Sequence, residues 1–544
     1  MKKSILLMLC AVIAIGASDA LAQYGPKPEV VIGPGLNSGR TEYHQNWNKT
    51  LSADTVYVLT GLYFVDSTYT LTIPAGTVVK GDTAATLIVK RGAKIYARGK
   101  PLAPIVFTSR KAPNNRDHGD WGGVVILGSA PVNKVEPVIE GGIIGGSFGG
   151  TDPNDNSGVF AYCRIEFPGY RFQLNNEING LTMGGVGRGT ELHHVQVSYS
   201  FDDSYEWFGG TVDARNMVAF GGTDDEFDSD FGYSGRLQYL FGLRDPVKFD
   251  PNGESRGFES DNDENDLSTD EPYTSARASN ATLIGPARTN AAIASIPPTA
   301  TFDWSSVQRR STKFSYINTA IIGYPRGISV RNDSTHAFAC RGDLMIRCSS
   351  IAGFSQGNDT SRWPVGAPGC ALGVNAWFAT PSYNNIGPTR MPDTMGLTNM
   401  ADLNDPNPIP LSTSELATAG TCTDYNDPWF EATSYRGAFD PAVTDMNQQW
   451  TAWWTNFSPK TTEYNPVNTG IGDDAPAVST ALLGQNRPNP FNPSTVISYA
   501  VPASGHITLK VYDVAGHEVA TLVDGFSPAG TFDVTFRASG LSTG

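Results

Sequence analysis

Short apolar runs separated by turn residues dominate the first two thirds of the chain. They occur at 56–59, 62–65, 71–73, 87–90 and 105–108. Each run is too short for a helix, and after the first 22 residues no long stretch repeats apolar residues at a helical period. Glycines that can adopt positive φ punctuate the runs at Gly76, Gly81, Gly92 and Gly99. The pattern therefore predicts many short β-strands joined by tight turns.

An internal repeat lies between residues 193 and 233. Two acidic clusters occur there, 22 residues apart. The first contains Asp202, Asp203 and Glu206, and the second contains Asp224, Asp225 and Asp228. A period near 22 is too short for a helical-pair repeat and lies in the range for one coil of a β-solenoid. We therefore predict that Val195 stacks on Met217 in the interior and that the two clusters lie on one edge.

Three segments resemble the opening coils of secreted right-handed parallel β-helix proteins. They read LTIPAGTVVKG, LIVKRGAKIYARGKPLAPIVFTS and GDWGGVVILGSA, and the resemblance extends over residues 50–350. It implies a solenoid in which each short strand faces a continuous interior and like residues stack in ladders. We therefore expect an all-β chain with a right-handed parallel β-helix over residues 23–350.

Two later segments are expected to lie outside the regular coils. The acidic stretch 250–271 is predicted to be a surface loop that leaves the edge of the helix. From 351 to 465 tryptophan becomes frequent, and SYRGAFDPAVTDMNQQWTAWWTNFSP resembles the closing segment of the same β-helix family. Because the last coil of a solenoid exposes its core and unpaired edges, the aromatic residues of this closing segment are expected to cover the open end. A short helix near 412–419 is predicted, with Ser412 as its N-cap.

The C-terminal segment resembles a second family. After a linker at 466–482, residues 483–544 are similar to the type A sorting domain of the type IX secretion system, which has a FlgD-like immunoglobulin fold. The matching residues are Asn489-Pro490-Phe491-Asn492-Pro493, Val511-Tyr512-Asp513, Gly516 and Leu541-Ser542-Thr543-Gly544. The resemblance implies a small Ig-like β-sandwich and export by the type IX machinery. Family members continue after the glycine that matches Gly544, so we expect a truncated domain that lacks its final strand.

The first 22 residues resemble a secretory signal peptide. Lys2-Lys3 precede an apolar core at 5–15, and Ala20-Leu21-Ala22 is a small-x-small cleavage site. The apolar core is too short to span a bilayer, and no other transmembrane anchor is predicted. We therefore expect export to the periplasm and a final location in the extracellular space or on the outer-membrane surface. The formal net charge of -15 makes nucleic acid and anionic membranes poor partners.

The spacing of the cysteine and histidine residues does not predict a metal site. Cys163 alternates with polar neighbours in a strand-like run and is expected to be a buried thiol. The other four cysteines of the expected mature chain can form disulfides in several pairings, and they are Cys340, Cys348, Cys370 and Cys422. His193 and His194 are adjacent in a strand, so one is expected to face the core and the other the surface.

The acidic clusters form the candidate functional site. Two carboxylates about 5 Å apart repel by roughly 3 kcal/mol at an effective dielectric constant near 20. Several such pairs need protons, basic partners or a cation, and Arg215 and Arg236 are the candidate basic partners. Calcium is the natural cation because it takes about six to eight oxygen ligands in flexible geometry. Simple solvated turn residues and catalytic carboxylates are the alternatives.

Two classes of function remain open. The first is a non-catalytic binding, adhesion or structural protein of the cell exterior that binds a glycan or another cell-surface polymer. The second is a calcium-dependent polysaccharide lyase or glycoside hydrolase, because parallel β-helices often carry such chemistry. Its catalytic residues would be Asp224, Asp225 and Asp228 with Arg215 or Arg236. We favour the first class because the chain contains no recognisable enzyme motif and a fold alone does not determine function.

Overall fold

The computed structural model describes most of the chain between residues 26 and 537. The described residues are 26–39, 41–172, 177–251, 253–263, 270–289, 292, 296, 300–353, 356–390, 392–400, 402–423, 425–465, 482–484, 486–487, 494–501, 505–512, 517–527 and 530–537. The predicted signal peptide, most of the linker and the sorting-domain motifs at 489–493 and 541–544 lie outside them. Within the described part of the chain, no helix is both long and apolar enough to cross a membrane.

Two compact units are present, and the larger one comprises residues 28–99 and 104–464. It is built from short parallel strands. These strands are β1 (Glu29–Ile32), β2 (Glu42–Gln45), β3 (Lys49–Thr50), β4 (Val56–Leu59), β5 (Leu62–Val65), β6 (Thr70–Ile73), β7 (Val78–Gly81), β8 (Thr86–Val89), β9 (Lys94–Arg98), β10 (Ile105–Ser109), β11 (Gly123–Leu127), β12 (Gly158–Glu166), β13 (Leu181–Gly184), β14 (Glu191–Ser198), β15 (Tyr205–Phe208), β16 (Ala214–Phe220), β17 (Phe227–Asp230), β18 (Arg236–Leu243), β19 (Phe258–Ser260), β20 (Arg277–Ile284), β21 (Trp304–Gln308), β22 (Ser315–Ile317), β23 (Ala320–Ile322), β24 (Arg326–Val330), β25 (Ile346–Arg347), β26 (Ser350–Ala352) and β27 (Ile386–Arg390).

The strands stack coil upon coil into two parallel sheets. The ten-stranded sheet has the order β2, β5, β8, β11, β13, β15, β17, β19, β21 and β24. The other strands form the seventeen-stranded sheet. Strands that are hydrogen-bonded to each other in these sheets come from consecutive coils, and every such pair is parallel. This connectivity is a parallel β-helix, as predicted.

The seventeen-stranded sheet bends along a column of residues with positive φ. Strand β12 pairs with β9 before Tyr162 and with β10 after it. Tyr162 and the residue aligned with it in the next coil, His194, have φ values of 51° and 53°. The column continues through Asn216, Tyr239, Asn280, Asn318 and Cys348. A left-handed residue interrupts side-chain alternation and turns the strand, and asparagine tolerates this conformation better than most residues. Each coil therefore has three faces, two of them in the bent sheet.

Apolar side chains stack through the interior of the coils. Val195 pairs with Met217 and Met217 with Leu240, and all three are fully buried. The rings of Tyr205 and Phe227 stack with centroids 5.3 Å apart in consecutive coils. Complete burial of such a side chain contributes about 1.5–3 kcal/mol. The predicted interior ladder is confirmed.

The acidic stretch 250–271 is not simply a surface loop. Its residues Phe258–Ser260 form β19, which pairs with β17 on one side and β21 on the other. Phe258 is fully buried, with its ring centroid 5.9 Å from that of Phe227. The surface-loop prediction was wrong because a strand of three residues needs only one inward apolar side chain, however polar its flanks are.

The interior beyond β24 is closed by helices and tryptophan side chains. Helix α1 (Asp333–Arg341) and helix α2 (Val374–Phe378) place Phe338 and Trp377 in the interior core, and Trp363 joins them. Helix α3 (Glu415–Thr418) follows later. Its N-cap is Ser414 rather than the predicted Ser412, because Ser414 Oγ accepts the N–H of Leu416 at 3.1 Å. Among the described residues, short 3₁₀ helices occupy Pro381–Tyr383, Pro392–Met395 and Met446–Gln448.

The closing segment at 434–459, whose aromatic residues were predicted to cover the open end, packs along the side of the solenoid instead. Phe439 and Trp454 share an apolar cluster with Phe241, which points outward from β18. Farther along, the N–H of Asn456 donates to Gln196 Oε1 at 2.8 Å. The location was wrong because aromatic content shows that an apolar surface is covered, but not which surface. We call residues 397–464 the side segment, and it also contains two antiparallel strands, β28 (Leu397–Asn399) and β29 (Asn407–Pro410).

Two disulfides connect the later coils. Cys340 pairs with Cys370, and Cys348 pairs with Cys422. Cys163 is a free, buried thiol, as predicted. The second disulfide joins the corner of a late coil to the side segment.

The second unit includes the described residues after 465 and is antiparallel. One sheet contains β30 (Leu482–Leu483), β31 (Ser494–Val501) and β34 (Gly530–Arg537), and the other contains β32 (Gly505–Tyr512) and β33 (Glu518–Ser527). Ile497, Leu509 and Phe536 belong to one core between them. The Ig-like class and the missing final strand remain predictions, since residues 538–544 lie outside the described part.

Candidate functional site

A column of carboxylates crosses the outer face of the ten-stranded sheet. Glu206 in β15, Asp228 in β17 and Glu259 in β19 are aligned in consecutive coils. Their chain neighbours Tyr205 and Phe227 belong to the interior core. Side-chain alternation along a strand therefore directs the acids outward. The strand register itself stacks the acidic side chains.

A second set of acidic residues lies in the turn that precedes each of these strands. Asp203 and Asp225 occupy equivalent positions, and the N–H of Asp225 donates to Asp203 Oδ1 at 2.8 Å. In the following coil Arg256 takes this position, and its N–H donates to Asp225 Oδ1 at 2.6 Å. The same offset makes Asp202 and Asp224 equivalent. Each turn is thus tied to the next by a carboxylate.

Two groups of three carboxylates lie close enough to share a cation. The groups are Asp202, Asp203 and Asp224, and Asp203, Glu206 and Asp228. Within each group the oxygen atoms lie within 4.8 Å of one another. A calcium ion holds its oxygen ligands at about 2.3–2.6 Å, so oxygens on opposite sides of the ion are about 5 Å apart. We call these five residues the acidic cluster, and Asp203 belongs to both groups.

Burial raises the pKa values of the acidic cluster. Asp203 and Glu206 are 8% and 7% exposed. Burial first, and then the charges of Asp225 and Glu140 respectively, raise the pKa of these two carboxyls well above the usual range. Burial also raises the pKa of Asp224 to about 6. Within the described chain, no Lys or Arg forms an ion pair with any of the five residues. Protons or a bound cation would relieve the repulsion among these carboxylates.

Arginines neutralise the next layer of the column. Glu259 forms ion pairs with Arg256 and Arg309. Burial acts to raise the pKa of Glu259, but the two arginines outweigh it and lower that pKa to about 2. Arg256 also lies 3.5 Å from the carboxylate of Asp225. Asp225, predicted as a metal ligand, therefore has a cationic partner already.

Sequence analysis missed Arg256, Glu259 and Arg309. The signal was present, because FDSD at 227–230 recurs as FESD at 258–261. The insertion before β19 lengthens this coil, so the match does not appear at the 22-residue period. Comparing tetrapeptides without a fixed period would have found it.

Arg215 and Arg236 do not neutralise the acidic cluster. Arg215 pairs with Glu431 at 2.6 Å, and Arg236 pairs with Asp213 at 2.5 Å. Both arginines stand in strands of the seventeen-stranded sheet, whereas the acidic column lies on the ten-stranded one. That expectation was wrong because proximity in sequence does not put residues on the same face of a coil. The two arginines are therefore also on the wrong sheet to act with the acidic column as the catalytic residues of a lyase or hydrolase.

The two histidines do not point to opposite faces. His193 Nδ1 and His194 Nδ1 lie 2.8 Å apart. His194 occupies the left-handed corner described above, so strand alternation fails between these two residues. The prediction was wrong because it treated the whole of β14 as regular strand.

Other segments cover the acidic cluster. Asn179 donates to Glu140 Oε1 at 2.7 Å and also to Glu206. Arg171 pairs with Asp250 at 3.3 Å beside it. These contacts bring parts of the chain before β13 and after β18 over the carboxylates. A covered cluster suits a small bound ion better than a polymer chain.

Comparison with known proteins identifies one family. The profile of the pectate-lyase-like β-helix domain matches residues 42–363 of the 544-residue chain. The matched segment begins with β2 and contains the whole acidic cluster. No curated protein and no solved structure gives a significant match. The chain therefore belongs to the pectate-lyase-like β-helix family.

Proposed function

We propose that this is a non-catalytic binding or structural β-helix protein of the cell exterior, stabilised by calcium at the acidic cluster. One observation carries the proposal. Asp203 belongs to both carboxylate groups, is 8% exposed, and forms no ion pair with a described Lys or Arg. An ionised carboxylate without a cationic partner costs several kcal/mol when buried. A divalent cation between the two coils would remove that cost.

The donor set favours calcium over other divalent ions. Both groups consist of carboxylates only. Calcium accepts oxygen ligands in flexible geometry, whereas magnesium demands a nearly ideal octahedron and zinc prefers nitrogen and sulfur. Because Asp203 and Asp228 come from consecutive coils, one ion would tie those coils together.

Thermal unfolding tests the calcium proposal. The melting temperature should be higher in millimolar calcium than in chelator, since calcium at a hundredfold excess over Kd adds about 2.7 kcal/mol of stability. Asp203→Asn should abolish the difference, because it removes the shared ligand but keeps an acceptor for the N–H of Asp225. The exposed Asp54→Asn is the matched control and should behave as wild type. A wild-type melting temperature that is the same in calcium and in chelator would contradict the calcium proposal. The carboxyl groups would then be protonated or solvated.

Export by the type IX machinery and binding of a glycan or another cell-surface polymer belong to the same proposal. The support is the sorting-domain resemblance of residues 483–544 and the separate antiparallel unit in that region. In a host that has type IX secretion, the full chain should reach the cell surface or the medium. A chain without residues 483–544 should stay in the periplasm. Equal export of both chains would contradict this part.

A calcium-dependent polysaccharide lyase or glycoside hydrolase is the second candidate. The observation in its favour is the family match itself. A lyase takes a proton from the carbon beside a uronate carboxylate and expels the neighbouring glycosidic oxygen, which leaves an unsaturated sugar. The full chain is therefore incubated with polyuronates and neutral glycans, in calcium and in chelator. Ultraviolet absorbance reports the unsaturated product, and a reducing-end assay reports hydrolysis. If the wild-type chain forms either product and Asp203→Asn does not, the protein is an enzyme and the non-catalytic role is contradicted.

A further inference from the structure

A cavity lined by arginine lies at the end of the ten-stranded sheet. Its volume is about 390 Å³, within the ~300–1,000 Å³ range of small-molecule sites. Its lining residues include four arginines and one asparagine, namely Arg309, Arg310, Arg331, Arg362 and Asn332. Such a concentration of positive charge is unusual in a chain with a formal net charge of -15.

The coil register brings these arginines together. Strands β21 and β24 are aligned, and Gln308 pairs with Val330 at their ends. Arg309 and Arg331 therefore leave equivalent positions in consecutive coils. The N–H of Arg310 donates to Asn332 Oδ1 at 2.8 Å, which fixes one turn against the other.

Two of the arginines are held in place by buried carboxylates. Arg309 Nε lies 2.8 Å from Asp261 Oδ1, and Arg310 Nη1 lies 2.8 Å from Asp261 Oδ2. Arg309 also pairs with Glu259. These contacts neutralise charge, and they also fix the two guanidinium groups before any ligand arrives.

Arg331 and Arg362 have no such partner. Within the described chain, neither forms an ion pair with a carboxylate, and Arg331 Nε donates to Ser329 Oγ at 2.9 Å. The nearby carboxylate of Asp359 is occupied by Ser329, Ser361 and the N–H of Arg362. Asp333 also lines the cavity, but it is exposed to solvent.

The electrostatic environment of Arg331 agrees with this geometry. Burial, followed by the charges of Arg256 and Arg309, lowers its pKa, although Asp303 and Asp359 act in the opposite direction. With no ion pair to a described carboxylate, the charge of Arg331 is balanced only at longer range, by Glu259, Asp303 and Asp359. A bound anion would supply the missing negative charge.

We propose that this cavity binds a tetrahedral oxyanion, the sulfate or phosphate group of a free ion or of an ester. Arg331 and Arg362 bind the anion directly, while Arg309 and Arg310 present donors whose orientation is already set. Guanidinium groups match the oxygen geometry of such anions and remain charged at any physiological pH. This site uses none of the five residues of the acidic cluster and does not depend on the calcium proposal.

Calorimetric titration of the full chain in chelator tests the oxyanion site. Inorganic sulfate and inorganic phosphate are titrated separately, with chloride at equal ionic strength as the reference. Arg331→Gln and the exposed Arg362→Gln should each weaken binding at least about tenfold, the loss of one charge-assisted hydrogen bond. Arg98→Gln is the control, because Arg98 is 57% exposed and pairs with Glu191 elsewhere on the surface. Asp203→Asn should bind the anions as wild type does.

Dextran sulfate and uncharged dextran distinguish an ester from a free ion. Binding of dextran sulfate that is lost with Arg331→Gln would identify a sulfate ester as the ligand. Binding of the inorganic ions alone would identify a free-ion site. Sulfate and phosphate binding no stronger than chloride binding would overturn the proposal. So would equal anion affinity in wild type, Arg331→Gln and Arg362→Gln, with all three proteins folded by circular dichroism.

Discussion

Asp203 combines a structural bond with a predicted ligand role. Its Oδ1 accepts the N–H of Asp225, which favours the charged carboxylate. Burial and the neighbouring carboxylates favour the neutral acid more strongly, so its pKa is raised. Without a cation, the environment of Asp203 therefore favours its protonated form. Binding of a cation requires the ionised form, which couples metal affinity to pH.

The cation-free protein should lose stability as pH rises from about 5 to 8. The cluster carboxyls have raised pKa values in the folded state, with Asp224 at about 6, against an ordinary value near 4 when unfolded. The folded state then binds more protons than the unfolded state, so the free energy of unfolding decreases with pH over this window. Each unit of pKa shift changes it by about 1.4 kcal/mol. Urea unfolding in chelator at several pH values measures the slope.

Calcium provides the control for this pH dependence. A bound cation stabilises the ionised carboxylates, so saturating calcium should reduce or reverse the slope. Glu259 has a lowered pKa and contributes in the opposite direction, but only at pH values below the chosen window. Stability that rises from pH 5 to pH 8 in chelator would show that the cluster is ionised without any cation.

At the scale of secondary-structure elements, the sequence predicts what repeats at a constant period. The 22-residue offset anticipated both the stack of Val195 on Met217 and the closeness of the acidic residues, because parallel coils of equal length align equivalent residues. Strand β19 was not predicted because an insertion changes the length of its coil. A hydrophobic pattern contains no information about the length of chain that leaves and re-enters a sheet.

Corners and covering segments were equally hard to predict. His194 has positive φ because it aligns with a whole column of left-handed residues, and nothing in its own neighbourhood reveals that column. The closing segment was assigned to the open end because Trp450 and Trp454 require an apolar surface. That surface turned out to be the outside of β18, where Phe241 and Leu243 face away from the interior. The local hydrophobic pattern shows that a residue is buried, but the tertiary fold determines which residues it packs against.

At the scale of the whole β-helix, the coils interact mainly with their immediate neighbours, as in other solenoids. The side segment is an exception, since it runs back across several coils and is tied to them by Cys348–Cys422. A calcium ion at the acidic cluster would add a second link, but only between the coils that contain β15 and β17. The side segment therefore links many coils, whereas the calcium ion would link only two.

Hydrogen exchange should reveal this local link. If calcium joins consecutive coils through Asp203 and Asp228, chelation should raise the frequency of local opening around the ion. Backbone N–H protection should then fall in β15 and β17, while β5 and β8, at least three strands away in the same sheet, should keep theirs. Asp203→Asn should exchange identically with and without calcium, because its site is already lost. Peptide-resolved exchange measured by mass spectrometry gives the comparison. A uniform loss of protection along the whole solenoid would mean that calcium stabilises the fold globally and not by linking two coils.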